Sequence, residues 1–305
     1  MMKFSFPIIK RTKLWFLISA LLIIPGLVSM AVQGFNLGID FTGGTLFDLR
    51  FAQPVSVVQV REALQTINLE QSTIQLATSA DSDKSTSVLI RTRILSDDER
   101  RDAVETLQNR LGQADVLRNE HVGATIGGEL ARNAVYALLA SMIMMIIYIT
   151  YRFEFKFAIA GIEALVHDVL VVCGFFSIFQ IEIDGTFVAA LLTIIGYSIN
   201  DTIVIFDRIR ENLKMQRREE SLDELVDRSI WQTMTRSIYT VLTVLFTTLS
   251  LYVFGGESTK NFALAMLVGI ASGSYSTIFN ASPLWVVWKK REQRRRQEAR
   301  EQRVR

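Results

Sequence analysis

Cysteine is almost absent from this 305-residue sequence. Cys173 stands alone inside an apolar run, which excludes a disulfide framework and a cysteine-based zinc site. His121 and His167 are the only histidines, too few and too far apart for a metal cluster. No Gly-Lys-Ser or Gly-Lys-Thr occurs, so there is no phosphate-cradling loop of the Walker type. Charge, 21% of residues overall, is missing altogether from Leu14 to Ile39, Asn133 to Tyr151, Ser237 to Gly256 and Asn261 to Trp288. These gaps outweigh the averages. A content of 50% hydrophobic residues and a mean hydropathy of +0.27 describe a soluble protein with a slightly greasy core, whereas uncharged runs of ~20 apolar residues cross a bilayer.

Six membrane spans are expected, at residues 14–33, 130–150, 157–180, 186–206, 231–254 and 261–288. The first follows a basic head of Lys3, Lys10, Arg11 and Lys13, as a signal peptide does. Its apolar part is too long and lacks a small-residue cleavage site, so it is expected to stay as an anchor. Lys and Arg assign the sides. The arm 1–13 carries four, the loop 151–156 two, the loop 207–236 seven and the tail 289–305 nine. These segments belong on the cytoplasmic side, with both termini.

The opposite side receives one long segment, 34–129, with 9 basic and 14 acidic residues. Its pattern reads strand 45–51, helix 55–67, strand 72–79, strand 86–94, helix 97–111, strand 115–122. Ser96 with Glu99 three residues on is a capping box, and Gly112 ends that helix. Strand-helix-strand twice over is the split βαβ arrangement. The chain is therefore expected to be an α-helical polytopic membrane protein of six transmembrane helices, carrying an extracytoplasmic α+β ferredoxin-like domain. Residues 130–288 hold the second to sixth spans, and 289–305 form a basic tail.

Polar residues inside spans cost several kcal/mol unless neutralised, paired or wet. Asp201 lies six residues before Asp207, ~9 Å deeper along its helix. It is either a proton site or half of a buried polar pair. Arg236, about five residues inside the next span, is either its counter-ion or a side chain reaching the headgroups. His167 and Asp168 interrupt the third span, with Glu163 and His167 at i,i+4 on one face. They serve a proton path or hydrogen bonds between helices. The segment from Phe35 to Thr45, including Gly38, Asp40, Gly43 and Gly44, joins the first span to the domain. Its glycines offer backbone freedom, for a plain linker or for a gating element. Gly269, Ala271, Ser272, Gly273 and Ser276 let helices approach closely in the sixth span. The basic tail has too few aromatics for base stacking, leaving anionic lipid or a ribosome-bearing partner as its attractants.

Gly38-Ile39-Asp40-Phe41-Thr42-Gly43-Gly44, Val122 to Leu130, His167-Asp168, Gly196 to Asn212 and Tyr275 to Pro283 together resemble the SecF family of protein-export membrane subunits. The resemblance runs from Lys3 to Trp288, with Ala124 departing from a more usual proline. It implies half of an RND-like transporter, a SecD-like partner, and assistance to the SecYEG translocon in moving unfolded preproteins at the expense of the proton gradient. YajC and YidC are further partners it suggests, alongside membrane lipids and no nucleic acid. It also implies a bacterial plasma (inner) membrane location, no covalent substrate chemistry, and no cofactor or metal, with protons as coupling ion. It assigns proton coupling to Asp201, Asn200 and Arg236. An RND-type half-transporter for a small molecule or lipid, and a purely structural scaffold, are the rival readings.

Overall fold

The computed structural model describes residues 6–77, 84–216 and 219–304. A single 3₁₀ turn, Ile9–Arg11, leads into α1 (Thr12–Val32), and a short α2 (Ile39–Thr42) precedes the sheet. Then come β1 (Gly44–Ser56), α3 (Val57–Gln65), β2 (Thr73–Ala77), β3 (Lys84–Thr92), α4 (Asp97–Leu111) and β4 (Ala114–Val122). Five long helices follow: α5 (Ala124–Arg152), α6 (Phe155–Ile178), α7 (Gly185–Lys214), α8 (Leu222–Phe254) and α9 (Glu257–Ser276). A π-helical turn, Thr277–Ala281, connects α9 to α10 (Ser282–Val304). The chain divides into two compact units, Leu37–Val135 and the remainder.

In the smaller unit the sheet order is β2-β3-β1-β4 with every neighbouring pair antiparallel. This is the ferredoxin-like order that the βαββαβ pattern implies. Alternation along β1 sends Phe47, Leu49 and Phe51 to one face, where Val88, Ile90, Val60, Leu64, Ala103 and Leu107 meet them. Capping boxes start both domain helices, Ser56 with Gln59 and Ser96 with Glu99. Strand β1 runs past the expected 45–51 to Ser56, and α3 accordingly starts at Val57 rather than 55. Residues 73–77 of the expected strand 72–79 form β2, whereas Ser72 precedes it and 78 and 79 lie outside the described residues.

The larger unit is a bundle. Among the described residues six helical stretches are long and apolar enough to cross a membrane, and the protein is a multi-pass membrane protein. Several outrun the expected spans: α7 reaches Lys214, α8 begins at Leu222, and α10 runs on to Val304. A span needs apolar residues only over the bilayer core, while its helix continues wherever caps and salt bridges support it. Ser221 and Glu224 cap α8, and Lys290 pairs with Asp223 at 2.6 Å.

Close approach of backbones sets the packing. A Cβ on Gly26 of α1 would lie 2.7 Å from Cα of Gly174 on α6, so only glycine fits this crossing. Just beyond it, the Ser29 and Ser177 hydroxyls share a hydrogen bond of 2.7 Å. Gly269 admits Ile194 of α7 in the same way, its imagined Cβ falling 2.3 Å from Ile194 Cδ1. Phe157 stacks on the fully buried Trp285 at 4.6 Å between centroids. The π turn immediately precedes Pro283, which has no N–H to offer residue 279. Widening the turn there accommodates the missing bond.

Candidate functional site

Asp201 and Asp168 lie buried inside the bundle, each in its own hydrogen-bond set. Asp201, on α7, is 8% exposed, and its Oδ1 accepts a 2.8 Å hydrogen bond from Ser237 Oγ of α8. Its Oδ2 is buried and has no hydrogen-bond partner, and neither has the hydroxyl of Tyr197 one helical turn away. Asp201 is thus half satisfied. A carboxylate with one free, desolvated oxygen is poised to take up a proton or a hydrogen-bond donor.

Arg236 precedes Ser237 on α8 but turns to the exterior of the chain. It acts on Asp201 through its charge, without a direct ion pair. The serine in contact, a small hydroxyl in a Ser/Thr-rich span, has no distinguishing mark in the sequence. Asn200 is exposed on α7, facing away from the bundle interior that holds Asp201.

Asp168, on α6, is 1% exposed and fully satisfied. Ser198 of α7 and Ser276 of α9 donate to its Oδ2 at 2.7 and 2.9 Å, and Ser272 of α9 donates to Oδ1 at 2.7 Å. His167 Nδ1 lies 3.1 Å from the same Oδ1. Gly273 makes the space: a Cβ there would press on Ser198 at 3.1 Å. Ser198, only three residues before Asp201 on α7, therefore serves the other carboxylate, Asp168. Thr202 extends the Asp168 set by donating to the Ser198 carbonyl at 3.1 Å and sharing a 2.8 Å bond with Thr277 in the π turn. Ser272 and Ser276 stand at i,i+4, a spacing readable in sequence as one polar face as well as a small-residue one.

The glycine segment is built into the smaller unit rather than free. Gly38 has ordinary extended angles, and its carbonyl accepts from the amides of Phe41 and Thr42. Asp40 occupies the first turn of α2. Gly43 and Gly44 have φ of +72° and +136°, and a Cβ on Gly43 would fall 2.8 Å from Cα of Ala124. Gly127 returns the contact, its imagined Cβ lying 2.9 Å from the Gly43 amide nitrogen. The expected backbone freedom is thus spent on close packing of residues 41–44 against the start of α5. Gly38 needs no special conformation.

These motifs coincide with known families. Residues 103–291, which include both carboxylates, match the model for "Protein export membrane protein SecD/SecF, C-terminal", and residues 28–55 match the "SecD/SecF GG Motif". The chain belongs to the SecD/SecF family. The protein translocase subunit SecF of Acidaminococcus fermentans is 54% identical over 288 residues, covering 94% of this chain and 98% of that one. The SecDF subunit of Bacillus subtilis is 39% identical over 92% of this chain but only 38% of its own length. The crystal structure of SecDF, a translocon-associated membrane protein from Thermus thermophilus, superposes with a TM-score of 0.86 at 38% identity. That match covers 95% of this chain and 40% of the SecDF chain, so the chain spans about two fifths of a SecDF protein. The SecD/SecF model thus encloses the Asp201–Ser237 contact and the serine cage of Asp168, and the GG model encloses the Gly43 turn.

Proposed function

We propose that this chain is the SecF-type half of a proton-coupled accessory complex of Sec protein export. In this reading a SecD-like subunit supplies the other half, consistent with relatives in which one chain is named for both. The SecYEG channel carries the unfolded preprotein, with YajC and YidC as further neighbours. Its place is the bacterial inner membrane with both termini in the cytoplasm, as the distribution of Lys and Arg supports. No covalent chemistry on a substrate and no cofactor enter; the coupling ion is the proton.

The observation that carries the reading is the half-satisfied Asp201. When it is ionised, the Arg236 charge and the Ser237 hydroxyl favour an approach of α7 and α8. Protonation cancels the attraction to Arg236 and changes Oδ2 from acceptor to donor, so the preferred spacing of the two helices changes with the proton. One charge crossing the full potential supplies ~2.3 kcal/mol per 100 mV, enough to bias a two-state bundle more than tenfold. Export into inverted membrane vesicles carrying Asp201→Asn tests it. Gradient stimulation should disappear while the complex still assembles; unchanged stimulation would refute the assignment.

A further inference from the structure

The bundle holds a second set of buried titratable groups, on α6, that Asp201 does not touch. His167 is 2% exposed, and Asp168 occupies its Nδ1. Asp168 is itself immobilised by three serine hydroxyls from two other helices. With both oxygens occupied by such donors, Asp168 is held where it orients the imidazole, so that in the neutral ring Nδ1 carries the hydrogen and Nε2 presents its lone pair. That Nε2 is buried and has no hydrogen-bond partner. One turn earlier on the same face stands Glu163, whose Oε2 is likewise buried and without a partner, at the i,i+4 spacing that brings two helix side chains side by side. An acid and a base one helical turn apart, each with a buried polar atom that lacks a partner, can serve as proton donor and acceptor, since buried polar atoms otherwise find partners or water.

Other titratable and charged groups do not claim this position. From α9, the Tyr275 ring lies 5.9 Å from the His167 ring, but its hydroxyl donates to the Trp15 carbonyl at 2.7 Å. On α7, Asp201 is bonded to Ser237, and the Tyr197 hydroxyl has no partner. Helix α1 has no titratable side chain from Leu14 to Val32. On α10, Lys289 is bonded to Glu154.

We propose that Glu163 and His167 are a second proton-transfer pair, with Asp168 as the positioning residue. The Glu163 carboxyl gives its proton, directly or through one water, to His167 Nε2. The products are a carboxylate and an imidazolium whose charge Asp168 balances, and the step is reversible. It rests on the proton-coupled reading above, to which it adds a relay on α6. Through Ser198, that relay is tied to the helix that carries Asp201.

The test uses the full complex in lipid nanodiscs, with exposed His121→Gln leaving His167 as the only imidazole of this chain, labelled with ¹⁵N. The neutral form should show Nδ1–H, and the titration should have two steps, as for coupled sites. Glu163→Gln should reduce it to one step and slow gradient-driven export by about tenfold or more. Glu163→Asp should restore the second step, which separates loss of the acid from damage to the fold. An Nε2–H tautomer, or an identical titration curve in Glu163→Gln, would overturn the proposal. Loss of gradient stimulation in Asp201→Asn alongside such an unchanged curve would sink the α6 relay alone. Full stimulation in Asp201→Asn would sink the coupling reading instead.

Discussion

Ser237 Oγ donates a 2.8 Å hydrogen bond to Asp201 Oδ1, joining α8 to α7 through the one oxygen of that carboxylate that has a partner. Under the proposed proton coupling, this bond would make Ser237 a tuning residue rather than the proton carrier. Ser237→Ala should leave the carboxyl in place but remove one stabilising donor from its charged form, an effect of ~1–3 kcal/mol for a buried group. The pH profile of gradient-driven export should shift toward higher pH, with the maximal rate retained, because a carboxylate deprived of a donor binds its proton more readily. An unshifted profile would show that the bond is incidental to titration.

Gly43 and Gly127 test the glycine segment. Alanine at 43 must adopt φ of +72° and also press into the Ala124 backbone, a strain of ~1–3 kcal/mol before any clash is added. Gly43→Ala should expose residues 41–44 and the start of α5 to protease, and Gly127→Ala should do so by the reciprocal contact. Gly38→Ala, at an ordinary extended position, should be silent in the same assay. Equal sensitivity at all three positions would mean that the segment is a flexible tether after all.

Much of this molecule is legible in its sequence, and the failures have a common cause. Charge-free runs announce the spans because hydrocarbon tolerates no unpaired charge, and the Ser96/Glu99 capping box announces α4 because its pattern is local. The ferredoxin-like order follows from strand and helix succession. What stayed hidden depends on which faces meet. Asp201 was readable as a costly buried acid, but its contact proved to be Ser237 and not Arg236. The serines around Asp168 read as small residues for packing, and only the register of α7 against α9 turns them into a cage. Gly43 and Gly44 signal unusual backbone, while the neighbours that leave no room for a side chain, Ala124 beside Gly43 and the Thr92 carbonyl beside Gly44, lie some fifty to eighty residues on.

Glu99 gives the soluble side of the protein a pH dependence. Its hydrogen bond to Arg93, aided by the Ser96 cap, holds its carboxyl down to about 2 from an ordinary 4.5. A carboxyl depressed on folding contributes stability that is present above 4.5 and is lost as pH falls toward 2. The protection factor at the first turn of α4, taken against the intrinsic exchange rate at each pH, should therefore fall as pH drops across that window. Glu99→Gln should remove the pH-dependent part and leave a constant, lower protection factor. A variant that kept the wild-type pH dependence would assign the window to another group.

The most direct test of proton coupling is the proton flux itself. The complex of this chain with its SecD-like partner, reconstituted into vesicles containing a pH-sensitive dye, is given an imposed pH gradient and a membrane potential. Wild type should carry protons, and Asp201→Asn should abolish that flux while retaining the partner in the same stoichiometry. Proton flux at the wild-type rate through assembled Asp201→Asn complexes would contradict the account.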